Sequence, residues 1–169
     1  MANTSTHYGA LAKIKVDLDA LITAGTLLQN TPAMSTLIRQ VPLAIDLKAS
    51  PATGEKQLPV ILICPFGREK KKRPGNNVMN EVGYPCLVEI VADNKDRDPT
   101  LNTDKWLKWR EDIFDLYEND DLSATDPATD FHSTEVEFGP IVDPDVWVSK
   151  GWYCSQLVVT CWLDKARGN

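Results

Sequence analysis

Leu11, Ile14, Leu18, Leu21 and Ile22 recur at steps of three and four, which puts them on one stripe of a helix from about Tyr8 to Leu28. Such a stripe needs a surface to lie on. Asn30, Pro32 and Pro42 break the chain around a short apolar stretch, and VPLAIDL, Val41 to Leu47, alternates as a first strand. SPATGEK, Ser50 to Lys56, is turn chemistry. LPVILICPF, Leu58 to Phe66, is a continuous apolar run bounded by prolines and rich in β-branched residues, a buried strand. In YPCLVEIVAD, Tyr84 to Asp93, the residues Cys86, Val88, Ile90 and Ala92 point one way and Leu87, Glu89, Val91 and Asp93 the other. These two runs predict a long hairpin. Its connection, about residues 67–83, exceeds the usual two to five residues, so it either extends the hairpin or forms an arm.

DNKDRDPTLNTD is a polar approach to a second helix, DKWLKWREDIFDLYEN, with Asn102 or Thr103 as its cap. Trp106, Trp109, Ile113 and Tyr117 share its apolar side, widened by Phe114, while Lys105, Lys108, Glu111, Asp112 and Asp115 are mostly solvent-facing. Residues 118–130 read as an acidic surface loop. Strands return at STEVEFGPIV and WYCSQLVVTCWLD, joined by a turn region, DPDVWVSKG. The expected fold is a single α+β domain over residues 1–169, with its core at about 8–164. Its sheet is mixed or mainly antiparallel, with a long hairpin and two amphipathic helices on one face. The expected core joins Leu11, Ile14, Leu18, Leu21, Trp109 and Ile113 to Val60, Leu62, Val88, Ile90, Leu157 and Val159.

A chain of 169 residues with 43% apolar and 25% charged positions is of ordinary globular composition. No apolar run approaches the roughly 20 residues of a membrane span, and the N-terminus lacks the pattern of a secretion signal, so a soluble, unsecreted protein is expected. Cys64, Cys86, Cys154 and Cys161 lie in strand-like runs without CxxC spacing, so reduced, buried thiols are expected. His7 and His132 have no ligand-like neighbours in sequence, which disfavours zinc. Reading DNKDRD as an EF-hand loop from Asp93 puts Lys95 at the third ligand position and Asp98 where glycine is required. No phosphate-cradling or nucleophile-elbow motif is present, so no catalytic site, cofactor or metal is expected. Of the five tryptophans, Trp106 and Trp109 are expected to pack the second helix on the sheet. Trp147 and Trp152 fit the core or a subunit contact better than base stacking, because Asp143 and Asp145 are their neighbours.

Against a net charge of −6, GREKKKRPGNN gathers Arg68, Lys70, Lys71, Lys72 and Arg73 around one acid. Three readings remain open: a solvated hairpin tip, a phosphate contact, or half of an interface. For the interface, the complementary group is the loop with Glu118, Asp120, Asp121, Asp126 and Asp130, on a neighbouring copy of the chain.

The order helix, strand, hairpin, helix and two closing strands, with YPCLVEIVADN leading into WLKWREDIFDLYE and the ending GPIVDPDVWVSKGWYCSQLVVTCWL, resembles the tail terminator (tail completion) proteins of long-tailed bacteriophages. The likeness covers about Tyr8 to Asp164. It implies a virion protein, made in the host cytoplasm, that forms a ring, usually a hexamer, on the tail tube and joins it to the neck. Its partners would be copies of itself, the tail tube protein and a neck or head-completion protein, with DNA only passing through the lumen and no membrane. A head-completion or stopper protein of the same neck is the nearest alternative. From a different class, the alternative is a cytosolic small-molecule-binding domain or an enzyme.

Overall fold

The computed structural model describes residues 5–25, 35–40, 58–72, 79–93, 99–118 and 131–166. The chain runs α1 (Thr6–Thr23), β1 (Ser35–Ile38), β2 (Val60–Pro65), β3 (Lys70–Lys72), β4 (Met79–Asp93), α2 (Pro99–Glu118), β5 (Phe131–Phe138), α3 (Pro144–Lys150) and β6 (Trp152–Ala166). The fold is α+β, built on one six-stranded sheet of order β1-β2-β4-β6-β5, with β3 paired to β4. Only β1–β2 is parallel among the described pairings.

Local chemistry sets the helix ends. The Ser5 hydroxyl accepts from the Tyr8 amide to cap α1, and Gly25, at φ 79°, turns the chain out after it. Helix α2 starts at Pro99, five residues before the position expected from its apolar pattern, because proline's fixed φ suits a first turn. The predicted strand 41–47 lies outside the described residues; β1 is instead the short apolar stretch before it. Its Thr36 hydroxyl accepts from Lys15 of α1 at 2.9 Å.

Helices α1 and α2 share one face of the sheet. Leu11, Ile14, Leu18, Trp109 and Ile113 pack there with Val88, Ile90, Leu157 and Val159, as expected, and Leu21 is partly buried against them. Strand β2 departs from the expectation. It gives Ile61 and Ile63 to this core, whereas Val60 and Leu62 face the other side in a second cluster with Cys64, Leu87, Val91, Cys154 and Val146. An unbroken apolar strand can present either parity, and here both of its faces are buried.

The turn region DPDVWVSKG is a third helix. Asp143 accepts from the amides of Asp145 and Val146, Pro144 opens the first turn, and Gly151, at φ 68°, ends it. Trp147 of α3 meets Trp106 edge-on, and Trp106 stacks on Tyr153 with ring centroids 4.5 Å apart. Trp152 packs at the margin of the second cluster.

Candidate functional site

The basic run is folded into the sheet. Lys70, Lys71 and Lys72 form β3 opposite Gly83, Val82 and Glu81, so the hairpin connection continues the ladder. Arg68 is exposed before it. Arg73, Asp120, Asp121, Asp126 and Asp130 lie outside the described residues; Glu118 is the exposed last residue of α2. The acids that meet the lysines belong to β5 of the same chain: Lys70 pairs with Glu137, and Lys72 Nζ lies 3.4 Å from Glu135 Oε2. Two-residue spacing on both strands, 70 and 72 against 135 and 137, makes this match possible.

Trp162 of β6 forms the floor between them. Its Nε1 donates to Glu135 Oε2 at 3.1 Å, and Lys72 Nζ sits 3.8 Å from its ring centroid. The ring has room because position 83 is glycine: a Cβ there would lie 2.7 Å from Thr160 Cγ2 and 2.8 Å from Trp162 Cζ3. Nearby, His132 Nε2 lies 3.7 Å from Glu81 Oε1 and 3.9 Å from Asp164 Oδ1. Among the described residues, no group of three or more His, Cys, Asp or Glu side chains could hold a metal ion.

Sequence reasoning missed three features. The first is Arg110, buried at 4% exposure. Its guanidinium donates to Gly139 O (2.8 Å), Gln156 O (2.7 Å), Pro140 O (3.2 Å) and Ser155 Oγ (2.6 Å). Burial pushes its pKa below the usual guanidinium value, and carbonyl oxygens take the place of a carboxylate partner. The result is a clamp that ties α2 to the turn leaving β5. On the same helix, Asp112 is buried against Lys108, not turned to solvent as the charge pattern suggested.

The second is Glu89, 3% exposed on the face away from α1 and α2. Gln156 Nε2 donates to its Oε1 at 2.8 Å, and its other oxygen has no hydrogen-bond partner among the described residues. Burial raises its pKa above the ordinary 4.5, opposed by the Gln156 bond and assisted by Asp143. A raised carboxyl pKa means that the folded state holds its proton more tightly. The stabilising contribution is therefore complete below the unfolded value and is lost as pH rises through the folded one. Glu89→Gln is expected to leave stability unchanged at pH 4 and to increase it at pH 7–8. Urea unfolding at the two pH values checks this; an equal change at both would show that ionisation is not the cause.

The third is an apolar groove of about 350 Å³ lined by Trp106, Leu107, Ile141, Trp147, Val148 and Tyr153, among others. Ile141, Val142 and Val148 are exposed around it, Val148 to 85%. Phe138 is exposed too, stacked on Phe114 at 4.3 Å between centroids. A short helix hidden in an apparent turn is what brings these residues together.

No helix among the described residues is long and apolar enough to cross a membrane. The sequence matches no protein-family model and no curated protein.

Proposed function

We propose that this chain is a structural virion subunit without catalytic duty, a tail terminator that forms a ring on the end of a phage tail tube and joins it to the neck. The order of its elements, with two helices on one face of a mainly antiparallel sheet and a long hairpin, supports the reading. The observation that carries it is the exposure of Ile141, Val142 and Val148 around one groove, since grouped apolar side chains mark a surface that a partner covers.

A ring also needs subunits that join through unlike surfaces. Electron microscopy of the purified chain, alone and mixed with tail tubes, tests the reading. Rings, or tubes closed at one end by added density, are expected. Tubes that stay uncapped beside particles that remain monomeric would overturn it, and a small molecule bound stoichiometrically in the groove would favour the ligand-binding alternative.

A further inference from the structure

The two ends of the β4–β6 ladder carry surfaces that complement each other. Toward one end, Lys70 and Lys72 are taken up by Glu137 and Glu135, while Arg68 and Lys71 are exposed with no anionic partner among the described residues. Phe66, 42% exposed, stands beside them in the irregular step between β2 and β3, where its amide donates to Pro85 O at 3.0 Å. Together they make an aromatic knob with a cationic collar.

Toward the other end lies the aromatic-lined groove. Pro144 is part of its wall, and the exposed Asp145 beside that proline has a carboxylate without a partner among the described residues. Pro85 pairs with Thr160 of β6, seven residues from Tyr153 in the groove wall. At about 3.3 Å per residue this is roughly 23 Å, beyond the reach of a phenylalanine ring or an arginine within one molecule.

We propose that the knob of one copy seats in the groove of the next, with Phe66 against Trp106, Trp147 and Tyr153 and Arg68 against Asp145. This rests on the ring reading and gives it a contact surface. Such a contact is heterologous. Each copy that uses its knob still offers a groove, so addition continues until the ring closes. The phenyl ring supplies the buried apolar anchor, and the charge pair fixes orientation and is weakened by salt.

The test is sedimentation of single and mixed variants, under whichever condition the parent assembles, alone or on tail tubes. Phe66→Asp and Val148→Asp both change exposed positions and are checked for folding by circular dichroism. Each variant alone is expected to lose self-association by about 30-fold or more, the scale of a central anchor. Mixed one to one, they share one intact contact, so they should form a dimer that grows no further and caps no tube. Arg68→Glu should weaken association by about two- to fivefold, and Asp145→Lys in the same chain should restore it.

If either single variant still assembles as the parent does, or the mixture gains nothing over its components, the contact is overturned while parent rings leave the terminator reading intact. Dimers of one variant alone would indicate a like-to-like contact and also overturn it. A parent that assembles neither alone nor on tubes would overturn both.

Discussion

Replacing Arg110 with alanine is expected to reduce the unfolding free energy by about 3–5 kcal/mol, since a buried acceptor left unsatisfied costs about 1–3 kcal/mol and the truncated stem leaves a cavity of similar cost. Gly139 O depends most on the guanidinium. Gln156 O also receives the Gly139 amide and Pro140 O the Gln156 amide, so they keep one donor each. The aliphatic stem of Arg110 fills core volume as well, which separates two variants. Arg110→Met keeps the stem and loses the donors; Arg110→Lys keeps charge and one point of donation but cannot span both Gly139 O and Gln156 O. Loss of stability should therefore run Ala, then Met, then Lys. Urea unfolding gives the order, and an alanine variant within about 1 kcal/mol of the parent would show that the turn after β5 does not depend on the clamp.

Ile113→Ala and Leu18→Ala are each expected to cost about 2–5 kcal/mol, because both side chains are fully buried between helices and sheet, where truncation leaves a cavity. Val16, on the same helix as Leu18 but 64% exposed, is the control; Val16→Ala should stay within about 0.5 kcal/mol. Equal losses at positions 16 and 18 would mean that α1 is rotated relative to the sheet.

The helices were legible because their apolar residues repeat at helical spacing along one face while charged residues, at the same spacing, fill the opposite one. Strand β4 was legible for the same reason at a period of two: Cys86, Val88, Ile90 and Ala92 do face the helices. Strand β2 gave no such signal. With both faces buried, VILIC has no polar residue to mark its parity, and the register, Leu62 opposite Glu89 and Ile61 opposite Ile90, shows which side is which. The short helix α3 did carry its signals, Asp143 before it, Pro144 at its first position and Gly151 after it, but seven residues are too few for an apolar period to stand out.

The candidate surface was legible only in part. Sequence singled out the lysines, yet their acids sit 67 positions on for Lys70 and 63 for Lys72, in a strand read from sequence for its fold alone. Arg110 looked like one more charge on an amphipathic helix; no local pattern reveals that the turn after β5 and Gln156 offer it three carbonyls.

Both ends of the β4–β6 ladder could be followed by fluorescence or spin probes, and the four cysteines make that unusually simple. All are buried and none forms a disulfide. Burial pushes the Cys64 thiol up to about 11 and the Cys154 thiol up to about 12, and raises Cys86 as well. At neutral pH, about one Cys64 thiol in ten thousand is then the reactive thiolate. A single cysteine placed at an exposed position such as Val148 would be the one that maleimide finds, so reporters can be installed on the native background without first stripping four core residues from the protein.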